Sequence, residues 1–324
     1  MAVADGLVAT PEQLVARERP VRAKIGLVAL ATAILTVVAN VVQNAALSDR
    51  PRVTEIDALR DAAGEPLGRA GLGTDQVLFF HHHGGSILVG SVLQALVSVG
   101  VGIVLVTLLR FALDRGGHAP RFARELVIVG AAAAAIGTVM LTLGLVLNAN
   151  DFASAADQGT QAAHDAARTG FLVVTGTILG LIGLFPLAAG FVMIAIAAMR
   201  VGLLTRFVGV LGAIVGVLQI LGPLSAGAFV VNAFWLAMVG ALMLGRWPSG
   251  MPPAWERGEA VPWPTQQELR EERDRQRAAR GDGGGRGRGA AAPAGPAEPA
   301  AVEGPRTEAP SRSTSARKKR KRRS

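Results

Sequence analysis

The sequence predicts an all-α integral membrane protein: a six-transmembrane-helix bundle followed by a disordered, basic C-terminal tail. Three observations carry that prediction. Half of the 324 residues are hydrophobic and mean hydropathy is +0.39, too apolar for a water-soluble chain of this length. Aromatic residues make up only 5%, Tyr is absent and Gly numbers 40, a composition suited to thin helices packed closely in lipid. Charge is segregated as well, because 17 basic and 10 acidic residues follow position 248 and place +7 of the net +9 in the last 76 residues.

Residues 1–24 form a short N-terminal segment with Arg17, Arg19, Arg22 and Lys24 at its end. Charge-free windows of about 20 residues then mark the spans, since a helix rises about 1.5 Å per residue across a hydrocarbon core of about 30 Å. They fall at about 25–47, 86–109, 126–148, 170–199, 203–222 and 227–245. The last two come from one apolar window, divided at Gly222-Pro223-Leu224-Ser225-Ala226-Gly227, where Pro removes a backbone donor. The first span follows basic residues as a secretory signal would, but its leading segment is long for one, and the helix is expected to be retained.

Orientation follows from the basic residues that flank the spans. Arg and Lys in the N-terminal segment, in Arg110–Arg124, in Arg200–Arg206 and beyond span six number 28, against five on the other side. The positive-inside rule therefore places both termini in the cytoplasm, and an even number of spans demands the same. The expected location is a bacterial inner membrane. Of the basic residues 29 are Arg and four are Lys, a coding bias that carries no functional weight.

No ionisable residue lies near the middle of a span, which disfavours proton pumps, proton-coupled carriers and voltage sensors. Uncharged polar residues do occur there. Asn40, Gln43, Asn44, Gln94, Gln219 and Asn232 are explained by interhelical hydrogen bonds, or by a polar pocket in the outer half of the bundle. Small residues recur every fourth position at Gly90, Gln94, Ser98 and Gly102, at Gly130 and Ala134, at Gly176 and Gly180, and at Gly212 and Gly216. Such faces let helices approach within a bundle or join copies as a homo-oligomer. Pro186 is expected to kink the fourth span.

The first outer loop, about 49–85, includes a short helix expected at 52–63 and ends in Phe79-Phe80-His81-His82-His83. His81, His83, His164 and Asp165 are the residues that a divalent transition metal could use. Adjacent helical residues point about 100° apart, so the histidines do not converge, and an interfacial collar is the favoured reading. No metal or other cofactor is expected. Cysteine is absent, which removes disulfides, thiolate metal centres and cysteine nucleophiles. His-Glu-x-x-His, Gly-x-Ser-x-Gly and phosphate-loop patterns are missing too, so no enzyme is expected.

Residues 249–280 combine Trp255, Trp263 and prolines with a polar helix opened by Thr265-Gln266-Gln267-Glu268, a capping box. From 281 to 310, 21 of 30 residues are Gly, Pro or Ala, too few apolar groups to build a core. Arg317, Lys318, Lys319, Arg320, Lys321, Arg322 and Arg323 close the chain, and anionic lipid headgroups are their expected partner. Nucleic acid is the less favoured partner, because no aromatic stacking platform accompanies the run. The expected function is a non-enzymatic structural or interaction role at the membrane. The alternative is a small-solute transporter or channel-like protein using the uncharged polar residues.

Overall fold

The computed structural model describes residues 10–65, 68, 70–120, 122–221, 227–248, 250–264 and 266–281. The described residues are all-helical, and they divide into two compact units at Pro264 and Thr265, inside the segment 249–280. The first contains α1 (Pro11–Leu47), α2 (Glu55–Ala62), α3 (Thr74–Asp114), α4 (Ala123–Ser154), α5 (Thr160–Arg168), α6 (Phe171–Arg200), α7 (Arg206–Ile220), α8 (Ala228–Met243) and α9 (Pro253–Arg257). The second contains α10 (Gln266–Gly281). The run Arg317–Arg323 and the rest of the tail after Gly281 lie outside the described residues, as do Thr265 and residues 222–226.

Four helices are long and apolar enough to cross a membrane: α1, α3, α4 and α6. Three of them, α1, α3 and α4, overrun their apolar windows, whereas α6 nearly coincides with the expected 170–199. Thr10 accepts from the Gln13 amide at 3.4 Å and Gln13 Oε1 accepts from the Thr10 amide at 3.1 Å, with Pro11 in the first turn, so α1 starts well before Ile25. Gly73, at φ 85°, turns the chain into α3, and this helix takes in residues 74–85 that the sequence assigned to a loop. By contrast, α7 and α8 have 15 and 16 residues, about 22 and 24 Å, shorter than the spans 203–222 and 227–245. α7 starts only at Arg206, after the Thr205 cap, and α8 stops at Met243.

Neighbouring helices run antiparallel in a ring: α1 packs on α3 and α8, α3 on α4, α4 on α6 and α6 on α7. Glycines set the closest approaches. Gly130 lies against Leu187, Gly137 against Gly176 and Gly180, and Gly144 against Val173, so α4 and α6 meet backbone to backbone. Gly26 faces Gly240, Gly90 faces Gln43, and Gly212 makes room for the fully buried Trp235. Trp235 donates from its indole to Val208 O at 2.9 Å and leans on Phe191 at 4.6 Å.

Many other large apolar side chains point outward. On α3, Val89, Val92, Leu96, Val99 and Ile103 form one exposed stripe; on α6, Val174, Ile178, Leu181, Ile182 and Phe185 form another. Contiguous apolar faces of this size would drive aggregation in water, and a hydrocarbon solvent removes that cost. Four long apolar helices with exposed apolar stripes make this a helical membrane protein. Gly216 lies beside Ala188 and Val192, so α7 ends level with about residue 185 of α6, while α6 continues about 20 Å further to Phe171.

In the second unit, α10 is stabilised by exposed pairs, Glu271 with Arg275 at 3.8 Å and Asp274 with Arg277 at 4.0 Å.

Candidate functional site

At the end of the bundle where the basic residues gather, the chain after α8 folds back as a plug. Arg115 caps α3 and its side chain is 0% exposed. Its Nη1 and Nη2 donate to Glu18 Oε1 and Oε2 at 2.8 and 2.6 Å, Nε donates to Ala254 O at 3.0 Å, and Nη1 also reaches Phe111 O at 3.1 Å. A bidentate pair with two further bonds to backbone carbonyls is an arrangement that tolerates burial. The indole of Trp255 lies 5.2 Å from the Arg115 guanidinium and 5.4 Å from that of Arg22, with Phe111 edge-on at 5.4 Å. Burial holds the Arg22 guanidinium below its usual pKa, Arg19 adds to that, and Glu18 opposes it.

Backbone and ring donors then tie the plug to the α6–α7 loop. Trp255 Nε1 donates to Leu203 O at 2.8 Å, Trp263 Nε1 to Leu204 O at 2.9 Å and the Val261 amide to Val201 O at 3.1 Å. Gly202 sits at φ 79° with Val261 O directly where a Cβ would stand, so only Gly serves there.

At the opposite end the two long loops interlock. The Leu72 amide donates to Thr160 Oγ1 at 2.9 Å, Thr74 Oγ1 to Gln158 O at 2.8 Å and Gln76 Nε2 to Pro51 O at 3.0 Å. Beneath them Val77, Ala149, Phe152 and Ala163 form a small apolar core. A cavity of about 380 Å³ opens beside it, with Arg50, Gln76, His164 and Arg168 at its polar side and Val77, Phe80 and Leu145 below. Its lining includes no carboxylate, although the lining Thr160 hydroxyl donates to the Asp61 carboxylate at 3.3 Å.

The residues singled out from sequence do not form one site. His81 Nδ1 pairs with Asn150 Oδ1 at 2.7 Å, and His83 Nδ1 pairs with Phe79 O at 3.2 Å while its ring stacks on Phe79. His164 sits across the cavity rim, its Nδ1 3.6 Å from Asp165 Oδ1. Among the described residues no three His, Asp or Glu side chains are grouped to hold a metal ion.

Asn40 Nδ2 donates to Thr36 O at 2.8 Å within its own helix, Asn44 is exposed, and Gln94 and Gln219 are half-buried. Gln43 Oε1 and Asn232 Oδ1 are buried with no hydrogen-bond partner.

Sequence reasoning allows residues 252–264 to lie along the membrane or to cap this end of the bundle, but it missed the ion pair that anchors them. It used Arg115 only to count basic residues and left Glu18 aside, although Glu18 is the single acid among Arg17, Arg19, Arg22 and Lys24. Pairing it with a residue 97 positions away needs the α1–α3 register, which no local pattern encodes. Comparison of this chain with protein-family models, with curated proteins and with solved structures returns no match.

Proposed function

We propose that this chain is a non-enzymatic, six-pass anchor of a bacterial inner membrane that presents a basic tail at the cytoplasmic surface. The observation that carries this reading is the plug. Arg115, Glu18, Trp255 and Trp263 fasten the segment before Pro264, so the chain leaves the first unit from a fixed point at its basic end. The basic end is assigned to the cytoplasm by the 28 flanking Arg and Lys residues against five. In this reading α7 and α8 cross as short spans with local thinning of the bilayer, and both termini are cytoplasmic. Arg317–Arg323 then lies along anionic lipid, at about 1 kcal/mol per cation near the surface.

Reconstituted into neutral vesicles with its tail outward, the full-length protein is expected to capture free phosphatidylglycerol vesicles at low salt. A truncation ending at Pro264 is expected to lose that capture. Equal capture by both forms, or by neither, would refute the tail's role.

A second reading is favoured by Gln43 Oε1 and Asn232 Oδ1, which face no donor. A transporter or channel-like protein would fill such acceptors with solute, and a small molecule released on denaturation would then disappear in Asn232→Leu. Without such a molecule, the anchor reading stands alone.

A further inference from the structure

The proposed function uses the tail as the lipid-binding element, but the bundle carries a separate groove of the same chemistry. Where α1 begins and α3 ends, a cavity of about 990 Å³ is lined by Arg17, Arg110 and Arg124, with Val21, Val106 and Leu113 among its apolar walls. Glu18 and Asp114 also line it, and each is already engaged: Glu18 by Arg115 at 2.6 Å, and Asp114 by Arg110 at 4.0 Å. Among the described residues, Arg17 and Arg124 have no ion pair. Two unpaired cations thus face one groove.

A second cavity continues from the first. It is about 350 Å³, lies between α3 and α4, and shares Val106 and Thr107 with the first; its other lining residues include Val99, Ile103 and Ile128. Thr107 is the one polar side chain in that lining, and its hydroxyl donates to Ile103 O at 2.8 Å, leaving an apolar trough. From Val99 to Asp114 the two cavities follow α3 for about 22 Å. That length matches one bilayer leaflet, a hydrocarbon half of about 15 Å plus its headgroup layer.

We infer that this composite groove is a binding site for one anionic phospholipid of the cytoplasmic leaflet. Its phosphate sits between Arg17 and Arg124, beside the Arg110–Asp114 pair, and one acyl chain lies along the α3–α4 trough. Guanidinium groups suit phosphate because their forked donors match its oxygens. A neutral zwitterionic lipid brings an ammonium toward the same cations and gains less. The inference rests on the cytoplasmic assignment of the basic end for which leaflet supplies the lipid, and on the groove alone for the headgroup charge.

The test is retention of lipid by the purified protein. Full-length protein and the truncation ending at Pro264 are equilibrated with mixed phosphatidylglycerol and phosphatidylcholine, freed of excess lipid in mild detergent, and weighed intact by native mass spectrometry. Phosphatidylglycerol is expected on both forms at about one per chain. In Arg17→Gln/Arg124→Gln the retained phosphatidylglycerol is expected to fall about thirtyfold, the effect of two surface cations. Ala132→Phe places a ring on an exposed position of the trough, outside the packed core, and is expected to reduce retention with the arginines intact.

Unchanged retention in both variants, or equal retention of phosphatidylcholine, would overturn the site. Loss of lipid on truncation at Pro264 would also overturn it, by showing that the tail holds the lipid, while leaving the anchor reading in place. Failure of tail-dependent vesicle capture with retention intact in the truncation would do the reverse.

Discussion

The Arg115 guanidinium is buried against the Glu18 carboxylate, and the cluster around it determines what its replacement does. A buried ion pair adds little net stability over a packed apolar pair, but a lone buried charge is costly. Arg115→Ala or Glu18→Ala is therefore expected to destabilise the protein by about 3–5 kcal/mol, read as a fall in the thermal midpoint in detergent. Glu18→Leu combined with Arg115→Met is expected to recover most of that loss. If the double variant were as unstable as the single ones, the cost would come from lost packing of Trp255 rather than from an orphaned charge.

Among elements, the α4–α6 pair shows how small residues decide the packing. A Cβ on Gly137 would meet Gly176 O at 2.8 Å, with the Gly180 backbone alongside, whereas a Cβ on Gly180 meets nothing within 4 Å. Gly137→Ala is thus expected to push the helices apart at about 1–3 kcal/mol. Gly180→Ala is expected to raise stability by up to about 1 kcal/mol, because Ala favours a helix that Gly loosens. Thermal unfolding of the two variants, measured side by side, checks both signs. The same pair shows what sequence can convey. Small residues every fourth position marked Gly130, Gly176 and Gly216 as close-approach sites, and their partners within the chain became visible only with the helix register.

Local signals were legible elsewhere too. Thr54 and Asp57 cap α2 inside the expected 52–63, and α10 (Gln266–Gly281) covers the polar stretch expected to be helical, while Thr265 itself lies outside the described residues. What local signals could not supply was depth and distance. Apolar windows located the cores of α1, α3 and α4 and nearly all of α6, but α1, α3 and α4 run on past those windows, and α3 absorbed His81–His83 into its first turns. The plug required residues from α1, α3, the α6–α7 loop and α9 to meet, a long-range outcome with no periodicity to announce it.

At the scale of the whole molecule, the central claim is a six-pass bundle with its basic, plugged end in the cytoplasm. The chain contains no cysteine, so single cysteines can be introduced on a silent background. Ala155, Gly227, His118 and Glu259 are exposed positions spread over both ends of the bundle. The decisive measurement is labelling of Ala155→Cys, Gly227→Cys, His118→Cys and Glu259→Cys by a membrane-impermeant maleimide in spheroplasts, before and after permeabilisation. Ala155→Cys and Gly227→Cys should react at once, and His118→Cys and Glu259→Cys only after permeabilisation. Protection of Gly227→Cys in both conditions would reduce α7 and α8 to a re-entrant hairpin, and labelling of His118→Cys or Glu259→Cys in sealed spheroplasts would contradict the cytoplasmic assignment itself.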